Sequence, residues 1–241
     1  MSPSKPNWED FVSGETLFSN AIRLRNLIWT IQRYVTPGTR VLETGFGSGT
    51  TAVLLADLGF QVTAIDLSEQ LVRRVGDRYS DWVRSGRLTV RRANMLALPW
   101  TTPAFELVYH QGVLEHFPDE QIVQALQQQA RVARWVIFDV PNIRYGARPY
   151  GDERLLPVAH WRRLIERAGL NLANVLGRGY KGWTSVLPYG LFSRRGLEWF
   201  PAGVRALAQV SIFVCRPKRS MPTPDERQLH DTQTNRPGEG R

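Results

Sequence analysis

The stretch Val41-Leu-Glu-Thr-Gly-Phe-Gly-Ser-Gly-Thr50 decides the fold. Its apolar start reads as a short strand, Arg40 to Glu43, running into a turn where Gly45, Gly47 and Gly49 alternate. Glycine belongs where the backbone takes a positive φ or approaches a ligand closely. The residues that follow, Thr50 to Leu58, carry apolar side chains at helical spacing. Strand, glycine turn and helix together lay a ligand across a helix N-terminus, so the segment predicts a nucleotide-like cofactor.

Two registers compete for the turn. The dinucleotide fingerprint G-x-G-x-x-G/A fails from Gly45, because its third position falls on Thr50. From Gly47 it is met through Gly49 and Ala52, but that register starts further from the strand end than the fingerprint does. The other register, Glu-x-Gly-x-Gly-x-Gly, begins with Glu43 at the strand tip. Glu43 then either faces the cofactor or only orders the turn. Downstream, Gln61-Val-Thr-Ala-Ile-Asp66 is a second apolar strand ending in an acid, which is how a ribose diol is held in several nucleoside sites. Asp66 supports a nucleoside without choosing between cofactors.

Two further segments choose. Leu88-Thr-Val-Arg-Arg-Ala-Asn-Met-Leu-Ala-Leu-Pro-Trp100 and Phe105-Glu-Leu-Val-Tyr-His-Gln-Gly-Val-Leu-Glu-His-Phe117 follow the glycine turn and Asp66 in order. With these four motifs the chain resembles the class I S-adenosylmethionine (SAM)-dependent methyltransferases of the type 11-like group. Asn94 stands where that family has Asp, a departure, although an amide also pairs with the adenine amino group. The resemblance implies an α/β, Rossmann-like sheet of seven mostly parallel strands, helices on both faces and a C-terminal antiparallel strand pair. It implies SAM as cofactor, held by Glu43, Gly45, Gly47, Gly49, Asp66 and Leu67, with Asn94 and Met95 flanking adenine. His110 and Gln111 would lie near the methionine part. No Asn-Pro-Pro-Tyr or Asp-Pro-Pro-Tyr sequence, carried by amino-methylating DNA enzymes and some RNA enzymes, stands at the fourth strand; Gln111-Gly-Val-Leu does.

Composition bounds the rest. The 241 residues suffice for one α/β domain with short extensions. No run of about 18 apolar residues predicts a membrane span. The N-terminus lacks a secretory pattern, and Cys215, the single cysteine, suits a reducing compartment, so a cytoplasmic address is expected. The net charge of +9 admits a polyanionic partner, yet the arginines are scattered in pairs on several elements, as on a solvated surface. The expectation is therefore a methyltransferase acting on a small molecule. An RNA-modifying enzyme and a non-catalytic SAM-binding or partner-binding protein are the alternatives. Oligomeric state is not legible.

Residues 1–36 read as an N-terminal helical extension, 37–215 as the cofactor domain with an aromatic-rich insertion at 177–201, and 216–241 as a disordered basic tail. One helix is expected from Ser68 to about Ser85, and a loop from Ile143 to Pro157 whose Tyr145, Arg148 and Tyr150 would line an acceptor pocket. If the acceptor arrives protonated a base is required, and His110 and His116 are the candidates, followed by Glu115 and the more remote His160. No His/Cys spacing or acidic run predicts a metal.

Overall fold

The structure, a computed structural model, describes residues 16–146, 148, 151–179 and 208–218. It opens with α1 (Leu17–Tyr34), started by a capping box in which Thr16 and Ser19 satisfy each other's backbone N–H groups. Leu24, Leu27, Ile28 and Ile31 recur at helical spacing and are buried, so one stripe of α1 packs on the core. Then follow β1 (Arg40–Thr44), α2 (Thr50–Asp57), β2 (Gln61–Asp66), α3 (Glu69–Arg78), α4 (Ser80–Arg84), β3 (Leu88–Arg92), β4 (Phe105–Gln111), α5 (Asp119–Val132), β5 (Ala133–Pro141), α6 (Val158–Arg167), β6 (Leu170–Arg178) and β7 (Val210–Pro217). The seven strands form one sheet in the order β3-β2-β1-β4-β5-β7-β6. All pairings are parallel except those of β7, which runs antiparallel to β5 and β6. Strands β1, β4 and β5 are buried along most of their length because both faces of the sheet are covered. The exposed edge is β3, whose Arg91 and Arg92 discourage pairing with another chain.

The pleat sorts alternate residues to opposite faces. Val41, Leu107, Tyr109, Ile137, Ile212 and Val214 pack with α1, α2 and α3. Val136, Phe138, Val140 and Phe213 pack with α5 and α6. There the rings of Phe138, Phe213 and Trp161 meet with centroids 5.1–6.0 Å apart. Each such fully buried side chain contributes about 1.5–3 kcal/mol. Cys215 lies on this second face, and burial pushes its thiol up, away from reactivity.

Three boundaries differ from expectation. The helix after Ser68 is two helices, because Tyr79 leaves helical dihedrals (φ −115°, ψ 33°) to bury its ring, which meets Trp82 edge-on. Strand β6 runs on to Arg178, inside the expected insertion, and β7 extends to Pro217, two residues into the expected tail. Residues 180–207 and 219–241, with residues 1–15, lie outside the described residues.

Candidate functional site

Three crossings converge where the carboxyl ends of β1, β2 and β4 meet. After β1 the chain turns through Gly45 (φ 72°), Gly47 (φ 53°) and Gly49 (φ 70°), and Gly49 is the residue from which α2 starts. A Cβ on Gly49 would stand 2.5 Å from Val75 Cγ1, and one on Gly45 would stand 3.0 Å from Val113 Cγ2. Positive φ and closeness together exclude larger residues at these two positions. The turn is bound to its neighbours. Gly45 N–H donates to the Ile65 carbonyl at 2.8 Å. Ser48 Oγ and Thr50 Oγ1 lie 2.9 Å apart, and the amide of Asn20, from α1, donates to Thr50. Asn20 therefore fastens the N-terminal helix to the turn, a role its sequence position does not reveal.

Asp66 ends β2 facing that turn. Its carboxylate accepts from Ser68 N–H at 3.0 Å, and the backbone N–H groups of Gly47 and Leu67 lie close by. Burial raises its pKa, and those N–H groups oppose the rise. Beside it Leu67 is 58% exposed, an apolar surface at the rim of a polar turn. From the β3 loop, Met95 is buried, while Asn94 is exposed and turns its Oδ1 back to accept from Leu96 N–H at 2.9 Å. Glu43 is buried behind the turn, where Tyr109 Oη donates to its Oε2 at 2.9 Å. Burial first, and then Glu43, push the Tyr109 hydroxyl well above its ordinary pKa, so it stays a donor. Gln111 is half-buried at the end of β4.

The histidines separate. His110 is fully buried on the α5 face, its ring stacked on Phe138 with centroids 5.1 Å apart. The pleat places the neighbouring Tyr109 and Gln111 on the opposite side of the strand, while the backbone of His110 stays near the end of β4. Burial lowers its pKa to about 3, so the imidazole is neutral, and the nearby Gln129 reaches neither ring nitrogen with hydrogen-bond geometry. His116 sits in the one-turn helix Leu114–His116, with Nδ1 2.8 Å from Asp152 Oδ1 and Nε2 4.0 Å from Glu115 Oε1. His160 is turned to Asp119 at 2.8 Å. Asp119 also binds Arg154 at 2.7 Å, and despite burial the hydrogen bonds from Arg154 and His160 hold its carboxyl below the usual range. Arg154 N–H donates to the Glu115 carbonyl at 2.9 Å. Residues 151–157 are thus strapped onto the turn after β4. Of the expected acceptor-lining residues, Tyr145 is half-exposed, Arg148 is exposed, and Tyr150 lies outside the described residues.

The strap and the neighbouring strand ends gather a buried charged group that sequence reading missed. Asp139, on β5, is 0% exposed and bound to Arg178 of β6 at 2.6 Å. Glu115, 3% exposed, lies near both, as does Glu153 from the strap. The available signal was an acid inside an otherwise apolar strand, Trp135-Val-Ile-Phe-Asp-Val140. Among the described residues no group of three His, Cys, Asp or Glu side chains is placed to hold a metal ion, and no helix is long and apolar enough to cross a membrane.

A parallel sheet with a glycine turn after β1 and an acid at the end of β2 defines a nucleoside-binding α/β protein. Residues 41–135 match the family described as "Methyltransferase domain". The chain is 35% identical over 186 residues to a ubiquinone biosynthesis O-methyltransferase of Xanthomonas campestris, covering 68% of this chain and 76% of that protein. A protein of the same name from Albidiferax ferrireducens is 31% identical over 137 residues, 56% of this chain and 54% of that one. The chain spans about half the length of several curated relatives that it matches. Magnesium protoporphyrin IX methyltransferase from Synechocystis, solved with S-adenosylhomocysteine bound, has the same fold with a TM-score of 0.62 at 16% identity, over 88% of this chain and 93% of that one. The chain belongs to the class I SAM-dependent methyltransferases, enzymes whose cofactor is SAM.

Proposed function

We propose that this chain transfers a methyl group from SAM to a small-molecule acceptor at oxygen, nitrogen or carbon by in-line displacement. One observation carries the reading: the Asp66 carboxylate ends β2 beside the Gly47 N–H of the glycine turn, fixed there by accepting from Ser68 N–H at 3.0 Å. A carboxylate offers about four lone-pair positions, so Asp66 can keep its backbone donors and still accept from a ribose hydroxyl. Exposed Leu67 offers adenine an apolar surface, with Asn94 and Met95 on the opposite loop. Gly45, Gly47 and Gly49 let the backbone approach the amino-acid part of the cofactor, Glu43 orders the turn from behind, and Gln111 stands at the end of the adjacent strand. His116, held by Asp152, is the candidate base for an acceptor that arrives protonated, and Tyr145, Arg148 and Tyr150, which follow β5 in the sequence, are the candidate acceptor residues.

SAM supplies a methyl carbon on a sulfonium, already a good leaving group. What remains for the protein is to hold nucleophile and methyl in line and to exclude water. The relatives named for ubiquinone biosynthesis support a small acceptor. The test is calorimetric titration of SAM into the wild type and Asp66→Ala, followed by transfer of labelled methyl to extracted metabolites. Losing charge-assisted ribose bonds of about 1.5–3 kcal/mol should weaken binding about 10- to 100-fold. Equal affinity of the two proteins would refute the ribose role.

A further inference from the structure

A cavity of about 580 Å³ opens beside β6, at the edge of the sheet opposite β3. Sites for small organic molecules span about 300–1,000 Å³, so the space suffices for one. Ile143 after β5, Val158 of α6, and Leu172, Val175 and Leu176 of β6 give it apolar walls. The register of β6 shifts between Leu172 and Asn174, and the consecutive residues 172–176 all border the same space. A bulge re-aims side chains in this way. No residue of the glycine turn lines the cavity, and neither does Glu43, Asp66 or Met95.

The side-chain groups left free in it are donors. Asn142 Oδ1 accepts from Arg144 N–H at 2.9 Å, which turns the amide nitrogen to the Ala208 carbonyl at 2.9 Å and to Ser211 Oγ at 3.1 Å. Ser211 is therefore an acceptor in that contact. It is 4% exposed, and among the described residues its O–H has no acceptor. Asn174 Oδ1 accepts from Val175 N–H at 2.9 Å, leaving its NH2 free. Arg144 and Arg162 stand exposed at the rim, and among the described residues neither guanidinium has an ion-pair or hydrogen-bond partner. No acid lines the cavity, and the adjoining start of α6 has neither a side-chain cap nor an acid in its first turn. Donors without acceptors and cations without anions attract an anion, and a guanidinium matches a carboxylate with two parallel N–H bonds.

We propose that this cavity binds a small organic acid, an aryl or alkyl body carrying one carboxylate, at a place separate from the SAM turn. The apolar body lies against Leu172, Val175 and Leu176, and the carboxylate accepts from Ser211 and from the guanidinium groups of Arg144 and Arg162. A single charge suits walls that are mostly apolar better than the double charge of a phosphate monoester does. Part of the site is held in advance: Gln209 Nε2 donates to the Arg144 carbonyl at 3.2 Å, so with Asn142 on its N–H the Arg144 backbone is fixed and the side chain alone is ordered on binding. The site is independent of the methyltransferase reading.

The experiment is calorimetry on the full chain, alone and with S-adenosylhomocysteine added, using three acid and amide pairs: octanoate and octanamide, 4-phenylbutyrate and 4-phenylbutyramide, indole-3-acetate and indole-3-acetamide. At least one acid should bind about tenfold or more tightly than its amide, with or without S-adenosylhomocysteine. Inorganic phosphate, which has no apolar body, should not displace it. Arg144→Gln and Arg162→Gln should each weaken that acid about fivefold or more, whereas Arg163→Gln, an exposed neighbour outside the cavity, should not. Ala173→Trp, at an exposed position of the edge strand, fills the space and should abolish binding. Amides that bind as well as acids, no binding by any acid, displacement by S-adenosylhomocysteine or by phosphate, or unchanged affinity in Arg144→Gln, Arg162→Gln and Ala173→Trp would each overturn the proposal. An equal loss in Arg163→Gln would also overturn it, by marking general attraction to a basic surface.

Discussion

The two halves of the sheet build their parts of the site from different materials. On the β1–β2–β3 side the backbone does it: glycines with positive φ, N–H groups aimed at Asp66, and side chains that mostly stay out of the way. On the β4–β5–β6 side, side chains from separate elements do it: Glu115 after β4, Asp139 in β5, Glu153 in the strap and Arg178 in β6, gathered where their strands end. A backbone site follows from a short run of sequence and tolerates change poorly at a few glycines. A side-chain site rests on electrostatic balance among residues far apart in the chain. The two should therefore break differently.

The sharpest contrast comes from Asp139→Ala. It would leave the Arg178 guanidinium buried without its 2.6 Å partner. Removing one member of a buried ion pair costs about 3–5 kcal/mol, most of it the burden of the uncompensated charge. A second change, Arg178→Met, should recover much of that loss, because an apolar replacement of the pair is often nearly neutral. Urea unfolding of the two variants measures both effects. If Asp139→Ala costs under about 1 kcal/mol, the pair is not electrostatically buried and the contrast between the halves fails.

Gly49→Ala probes the other half and should cost about 2–3 kcal/mol. Part of that is the left-handed backbone (φ 70°) and part is the collision with Val75, 2.5 Å from the new methyl carbon. Adding Val75→Ala removes the collision while opening a space of its own, and the backbone penalty remains. The double variant should still unfold at lower urea than Val75→Ala alone. Equal stability of those two would mean that the turn is not constrained at Gly49.

How much of this the sequence foretold follows the same divide. The glycine turn and the acid ending β2 were legible because each depends on neighbours within a few positions, and because alternating glycines after an apolar run have few structural uses. Asp139 was read only as one letter of a strand, and Glu153 and Arg178 were not singled out, since nothing local says that β5, β6 and a loop meet. The burial of the His110 ring was not foreseen for a related reason. Its place at the end of β4 suggested the cleft, but the face a strand residue takes depends on the register of the whole sheet, and a single step turns it inward. Asn20 likewise binds Thr50 across 30 positions, a partnership invisible before folding.

The buried histidine supplies the smallest effect and the most selective one. In the unfolded chain His110 takes up a proton near pH 6.5, whereas in the folded protein burial postpones that to about 3. Below pH 6.5 the unfolded state therefore binds the extra proton, and stability falls with acid until the folded histidine also titrates. At pH 5.5 the loss amounts to about 1.4 kcal/mol. Glu115 has the opposite sign: its raised pKa favours the folded state while it keeps its proton, and that advantage fades as pH rises through the folded value. Replacing His110 with Phe, which can keep the stack on Phe138, should flatten the acid limb of a stability-against-pH curve and leave the neutral and alkaline limb to Glu115. Glu115→Gln should do the reverse. If the acid limb of His110→Phe falls as steeply as that of the wild type, the histidine is not the group that resists protonation, and the α5 face carries no titratable weakness of its own.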